Sequence, residues 1–441
     1  MTRLKIRGGP RLFVSKRLRK PRKYDPDRDY EFRYRSKKHA DFPHVVKFSG
    51  GRSSGMLLCA LLQNKILNAK RGDVVVFNNT GAEHPDTYEF AKECKQLTED
   101  GFGIPFFWIE HQTYEEVRQG EWVRLPSYRL TNSMPWSREN REGYHSGGEP
   151  FEEMLSWSGF VPNQFSRTCT HSLKLETTRM FLKNWFSCEE AIPRQGHWNP
   201  HSQIDLDALY RRHCRSGGAV PKKIYLDKKA FVLSCPPFRP RQRFADFTDA
   251  PIRIDNPFLK KNSFGGSAKL GSGSVEYVAF IGLRDDEPAR VRRVAARAMD
   301  GNPRGYEGEH VYMTLSDLKI TDRDVTDFWK GQDWGLELPS CLSNCVFCFL
   351  KGSVKLKQSL ESLQSISPAL KNTPLDIAWW ARIEQKYGRN LIDENRKRKP
   401  GTDVAFIGFF GPRPLDYQTI SQKGVDAIAN AGDMKPCDCT D

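Results

Sequence analysis

Three cysteines stand on one short stretch, Cys341-Leu-Ser-Asn-Cys-Val-Phe-Cys348. The spacing C-x3-C-x2-C puts three thiolates on a single tight loop, as a chain does when it presents sulfur to a metal. With one distant cysteine added, the set suits a [4Fe–4S] cluster. Zinc also takes four thiolates, so the spacing alone does not name the metal. A second chemistry is carried by Val45-Val-Lys-Phe-Ser-Gly-Gly-Arg-Ser-Ser-Gly55. A short apolar strand runs into a Ser/Gly turn. A helical pattern then spans Ser53 to Ile66, with Met56, Leu57, Ala60, Leu61 and Ile66 at helical spacing. Ser53 and Ser54 suit its cap. Bare N–H groups and a helix N-terminus at one point favour an anion, and Gly50 and Gly51 let a phosphate approach the backbone.

A third group, Ile281-Gly-Leu-Arg-Asp-Asp-Glu-Pro288, closes an apolar strand predicted over Glu276–Leu283. Arg284, Asp285, Asp286 and Glu287 therefore emerge at a sheet edge, where they could meet phosphates, Mg²⁺ or a substrate. Asp286 and Glu287 also suit the first turn of a helix predicted over Asp286–Met299.

The elements that must position these groups follow from periodicity. Val45–Phe48 reads as a strand. Asp73–Asn78 is a second, apolar throughout, as a parallel strand buried on both faces should be. Pro85 opens a helix running to about Glu99, with Tyr88, Phe90, Ala91, Cys94 and Leu97 inward. Ile104–Ile109 is a third strand. This β-α-β-α-β order predicts an α/β fold with a Rossmann-like, doubly wound parallel sheet, and ligands at the carboxyl ends of its strands. Residues 110–165 read as irregular and aromatic-rich, and Thr168 to about Trp185 as helical. Helices are also predicted over Thr321–Gly331 and Pro374–Tyr387. The divisions expected are a basic arm at 1–40, a first part of the core at 41–185, an irregular basic insertion at 186–275, a second part of the core at 276–335, and a Cys-rich, helical C-terminal region at 336–441.

The chain has 441 residues and a net charge of +15. Residues 1–40 hold 15 Lys/Arg against 4 Asp/Glu, which leaves a nearly balanced body behind a basic arm. That asymmetry points to nucleic acid as a partner. No apolar run approaches the ~20 residues of a membrane helix, and no secretory signal is visible, so a cytoplasmic location is expected. Eleven cysteines in such a setting argue for metal or redox chemistry over disulfides. Cys59 and Cys94 sit in helical patterns and read as core residues.

The Ser49–Ser54 loop is not a Walker loop, since no Gly-Lys-Ser/Thr follows. It resembles the PP-loop of ATP pyrophosphatases, Ser-Gly-Gly-x-Asp-Ser, through Ser49, Gly50, Gly51 and Ser54. Ser53 replaces that family's Asp. The stretch Asn78–Phe90 is similar to the Thr-Gly-x-x-x-Pro-x-Thr loop of the phosphoadenylyl-sulfate (PAPS) reductase branch, through Thr80, Gly81, Pro85 and Thr87, with Glu83 and His84 as polar groups aimed at the cleft. The stretch Ser166-Arg-Thr-Cys-Thr-His-Ser-Leu-Lys174 resembles the Arg-x-Cys element of iron–sulfur members. With the cysteine cluster, these elements occur in family order over roughly residues 44–352, and within the superfamily the nearest likeness is to the DndC type of DNA phosphorothioation systems.

The resemblance implies an ATP-dependent sulfurtransferase acting on nucleic acid, with a [4Fe–4S] cluster, ATP and Mg²⁺. By it, Cys169 joins Cys341, Cys345 and Cys348 as metal ligand, with Cys235 as runner-up. A cluster with only three protein ligands is the other arrangement. Ser49, Gly50, Gly51, Arg52, Ser53, Ser54, Thr80, Gly81, Arg167 and Lys174 would contact ATP, and Lys47, Arg52, Glu83, Arg284 and Asp286 would assist the chemistry. A cysteine desulfurase or other sulfur donor is the implied partner. Three other functions fit the same features: a reductase of PAPS or adenylyl sulfate, a tRNA thiolase, and a non-catalytic nucleic-acid-binding regulator with a degenerate loop. The Cys437-Asp-Cys tail could relay sulfur, bind metal, or have no function.

Overall fold

In a computed structural model, residues 4–9, 11–14, 29–32, 37–118, 121–163, 166–187, 276–297, 308–364, 366–390, 406–411 and 415–430 are described. The insertion expected at 186–275 lies almost wholly outside them, as do Cys188, Cys214, Cys235, Cys437 and Cys439. Within the basic arm, β1 (Arg11–Val14) and β2 (Asp29–Phe32) form a small parallel pair. Residues ahead of β1 are tied to the body. The Trp334 indole N–H donates to Lys5 O at 3.1 Å, and the Arg7 N–H donates to Gln332 at 2.8 Å.

The body is an α/β fold around a six-stranded, mostly parallel sheet, consistent with the Rossmann-like arrangement expected from the sequence. Its strands are β3 (His44–Phe48), β4 (Val74–Asn79), β5 (Phe106–Arg118), β6 (Glu121–Thr131), β7 (Tyr277–Ile281) and β8 (Glu309–Tyr312). They lie in the order β6-β5-β4-β3-β7-β8, with only the β5–β6 pair antiparallel. The chain departs from β3 toward β4 and β5, then returns on the other side through β7 and β8. The reversal puts a topological switch point at the carboxyl ends of β3 and β7, where an open α/β sheet binds its ligands.

Alternation along the strands builds two cores. Val46, Phe48, Val75, Phe77, Phe106 and Trp108 face α1 (Arg52–Gln63) and α2 (Pro85–Gln96). Val45, Val74, Val76 and Ile109 face the other side. That side is covered by α4 (Thr177–Ser187), which follows α3 (Glu149–Ser158), and by α5 (Pro288–Arg297).

Three expectations need correction. The segment after residue 110 is not irregular at first: β5 and β6 form a long hairpin, in register from Trp108↔Thr131 to Arg118↔Glu121. Pro126 sits in β6, an edge strand, where a missing ladder donor is tolerated. The helix expected at 168–185 begins as a π-helical turn, Thr170–Glu176, before α4. Ser53 and Ser54 are not caps: Gly51 is the N-cap of α1, and both serines lie inside the helix. The C-terminal region holds the short α6 (Thr314–Asp317), α7 (Asp322–Lys330), α8 (Ser353–Ser362), α9 (Ile377–Tyr387), α10 (Tyr417–Lys423) and α11 (Val425–Asn430). No helix among the described residues is long and apolar enough to cross a membrane.

Candidate functional site

The turn after β3 is fixed by its own serines. The Ser49 N–H and hydroxyl donate to Ser54 Oγ at 3.2 and 3.0 Å, and Ser54 Oγ donates to Gly51 O at 2.9 Å. Gly50 has φ +79°, and a Cβ there would lie 2.7 Å from the Thr87 methyl. Glycine at 50 thus serves the packing of the two loops, whatever else approaches it. The first helical bond of α1 is Gly55 N–H to Gly51 O, so the N–H groups just before it remain for a ligand.

Gly282 brings the end of β7 against this turn. A Cβ on it would lie 2.9 Å from Ser54 Cα. Two residues on, Arg284 is 5% exposed. Its Nη1 donates to Ser53 Oγ at 2.9 Å and its Nε to Asp286 at 2.9 Å. Asp322, the first residue of α7, stands 3.7 Å from Arg284 Nη1. These groups open onto a small, shallow cleft at the surface. Gly51, Arg52, Ser53, Arg284 and Asp322 line one part of it, and Leu336, Leu338, Ser340 and Ser343 the other. The last two residues flank Cys341, so the Ser/Gly loop and the cysteine loop share one cleft.

The cysteine loop is docked on the loop after β4. The Val346 N–H donates to Ala82 O at 3.1 Å, and Thr80 Oγ1 lies 3.4 Å from Cys345 Sγ. Asn79 fixes this platform: its amide donates to Glu110 at 2.7 Å and to His145 O at 2.6 Å, and its oxygen accepts from the Gly81 N–H at 2.8 Å. Glu83 is 2% exposed and accepts from Thr80 Oγ1 at 2.6 Å, Ala82 N–H at 3.1 Å and Tyr88 OH at 3.1 Å. Cys169 reaches the loop from the π-helical turn. Burial pushes its thiol up to about 11, with Cys345 adding to the rise and Lys174 and Arg167 opposing it. Burial likewise pushes Cys345 up to about 12, helped by Glu83 and Cys348 and opposed by Lys174. From the other side, Tyr417 OH donates to Phe347 O. Lys351 is 1% exposed; its ammonium donates to Cys341 O and to Val346 O, the latter at 2.7 Å. Its burial pushes it down to about 8, against the pull of the thiols of Cys348, Cys345 and Cys341.

Among the described residues, no three His, Cys, Asp or Glu side chains are grouped to hold a metal ion. Cys169, Cys341, Cys345 and Cys348 carry thiols, donors of the kind that both zinc and iron–sulfur clusters take. Beside these cysteines, the buried polar atoms Arg167 Nε, Thr168 Oγ1 and Asn344 Nδ2 have no hydrogen-bond partner among the described residues.

The structure thus brings together most residues singled out by sequence, in two groups. Ser49, Gly50, Gly51, Arg52, Ser53, Ser54, Arg284 and Asp286 form the first. Thr80, Gly81, Glu83, Arg167, Cys169, Lys174 and the three clustered cysteines form the second. Two side chains have other places than expected. Lys47 lies on the sheet face opposite α1, its Nζ 2.6 Å from Glu309. His84 caps α2 by accepting from the Asp86 N–H at 3.3 Å, which is the ordinary work of a helix start. Asp322, Ser340, Ser343 and Lys351 were missed. Only Ser340 and Ser343 carried a signal, their position beside Cys341.

No family model matches the sequence, and no solved structure matches it. Over 313 residues the chain is 32% identical to the "uncharacterized nin region protein ORF290" of Escherichia phage lambda, an alignment covering 71% of this chain and 68% of that protein. Identity at that level over more than two thirds of both sequences places this chain in the family of the lambda nin region protein ORF290.

Proposed function

We propose that this protein is an iron–sulfur-dependent ATP pyrophosphatase and sulfurtransferase of the PP-loop, PAPS-reductase-like class, acting on nucleic acid. The observation that carries this reading is the shared cleft, walled by the anion-favouring turn at Gly51–Ser53 on one side and by Ser340 and Ser343 of the cysteine loop on the other.

In this reading the triphosphate lies at the start of α1, against free backbone N–H groups, with the fixed charge of Arg284 and the side chain of Arg52 beside it. An acceptor oxygen attacks the α-phosphorus. The new O–P bond forms as the α–β anhydride bond breaks, and pyrophosphate leaves. A hydrosulfide-level sulfur from a partner protein then displaces AMP from the activated acceptor. Mg²⁺ bound with the nucleotide would neutralise the pyrophosphate charge. Cys169, Cys341, Cys345 and Cys348 would hold the cluster, which supplies a sulfur-binding or redox function when bound. Arg292 and Arg293 are exposed on α5, which leaves the same sheet edge as Arg284, and with the basic arm they suit backbone phosphates without reading sequence.

The test is anaerobic purification followed by optical and EPR spectra, iron and sulfide analysis, and pyrophosphate release from ATP with DNA, RNA or neither. A coloured protein whose pyrophosphate release needs nucleic acid supports the reading. A colourless zinc protein sinks the iron–sulfur part, and no pyrophosphate with any acceptor sinks the ATP part.

A further inference from the structure

We propose that Trp329 is a positioning residue of the anion-favouring turn: its indole N–H holds the Arg52 carbonyl and thereby aims the N–H groups that open α1. This rests on the reading of that turn as the seat of the triphosphate. Trp329 lies in the last turn of α7 and is 8% exposed. Its Nε1 donates to Arg52 O at 2.9 Å, across 277 positions of the chain. The helical ladder offers that carbonyl one donor, and the indole is a second, from outside the helix. The Arg52–Ser53 peptide is trans. In a planar trans peptide the carbonyl and the following N–H point in opposite directions. A donor fixed on Arg52 O therefore fixes the Ser53 N–H, which points away from Trp329 and out from the start of α1.

The indole has little freedom to lie elsewhere. A Cβ on Gly55 of α1 would come 2.8 Å from its Cζ2, and one on Gly335 would come 2.8 Å from its Cε3. The Phe90 and Trp334 rings stand edge-on to it, with centroids 5.1 and 5.2 Å away. Two glycines and two rings thus set the plane of the indole, and its single donor is delivered to one acceptor. Arg52 and Ser53 line the cleft, whereas Trp329 acts on it through the peptide it holds. A tryptophan that only filled space would support the fold without bearing on anion affinity. Misaimed N–H groups lose affinity in a protein that is still folded.

The experiment compares full-length wild-type protein, W329F and W334F by calorimetric titration with MgATP and with inorganic pyrophosphate, below the melting temperature of each variant. Phenylalanine keeps a ring in either place and removes the N–H. The Trp334 indole donates to Lys5 O and not to α1, so W334F is the control for the ring stack. The expected result is about three- to tenfold weaker binding of both ligands by W329F, the scale of one lost hydrogen bond, with W334F near wild type. With serine labelled for amide NMR, the Ser53 signal should shift when pyrophosphate is added to the wild type and shift less in W329F. A folded W329F with wild-type affinity overturns the proposal. So does an equal loss in W329F and W334F, which makes the effect one of packing. Where W329F does not fold, G335A takes its place, since the added Cβ displaces the indole without removing it; unchanged affinity there also overturns the proposal. Wild-type protein that binds neither ligand is a separate outcome, seen before any variant is made, and the ATP reading and this proposal then fall together.

Discussion

Arg284 Nη1 donates to Ser53 Oγ at 2.9 Å, across 231 positions of the chain. The bond joins the two loops at the switch point of the sheet and holds a guanidinium at the start of α1. Replacing Arg284 by Gln should weaken ATP binding by about tenfold to a hundredfold, the scale of losing one charge-assisted contact. S53A removes only the acceptor, and should cost about 1 kcal/mol of stability with a smaller change in affinity. Calorimetric titration with ATP and a thermal melt of each variant separate the two effects.

Gly282 and Gly50 are required by close approach. An added Cβ at Gly282 would meet the backbone of Ser54 at 2.9 to 3.0 Å, and backbone cannot swing aside as a side chain can. G282A should therefore destabilise the fold by about 1–3 kcal/mol. It should also displace Arg284, so ATP binding falls even at temperatures where the variant is folded. G50A adds backbone strain at φ +79° to a contact with Thr87. Chemical denaturation followed by fluorescence measures both.

The cysteines should not be equivalent. C345S and C348S remove sulfur from the loop itself and should abolish iron binding. C169S tests the fourth ligand. If Cys169 ligates, the variant should lose iron as fully as C345S. If it does not, the variant should keep a cluster with an altered EPR signal. Iron and sulfide content per chain decides between them.

Two buried groups give stability opposite pH dependences. Burial, reinforced by the Arg71 guanidinium, pushes the His44 imidazole down to about 3 from 6.5. The unfolded chain takes up that proton first, so this contribution is complete above pH 6.5 and is lost as pH falls toward 3. Burial pushes Glu384 up to about 8 from 4.5, although the Phe409 and Tyr417 N–H groups donate to it at 2.7 and 2.5 Å. Here the folded chain keeps the proton, so its contribution is complete below pH 4.5 and is lost as pH rises to 8. Each slope is at most ~1.4 kcal/mol per pH unit. Urea unfolding across this range should show the acid limb flattened in H44Q and the alkaline limb flattened in E384Q.

What the sequence disclosed, and what it hid, follows from the reach of each signal. The β3 turn was legible because three apolar residues of a short strand, two glycines and a helical pattern follow one another closely. The clustered cysteines were legible for the same reason. The β5–β6 hairpin was hidden because charged residues punctuate it and because Pro126 weighs against a strand unless the strand is known to be an edge. The Ser53–Arg284 bond joins distant segments, and no local pattern announces it. Lys351 was hidden most fully: lysine reads as a surface residue, and its burial exists only once the loop has closed around it.

The docking of Val346 on Ala82 and of Tyr417 on Phe347 bears on when the cysteine centre can be made. Its platform is synthesised early, Cys169 later, the clustered cysteines much later, and the residue that braces them from behind later still. A nascent chain therefore holds Cys169 and the platform long before their companions exist. If these cysteines hold a metal, its loading would belong to the last stage of biogenesis, after the segment bearing Tyr417 has folded back onto the cysteine loop.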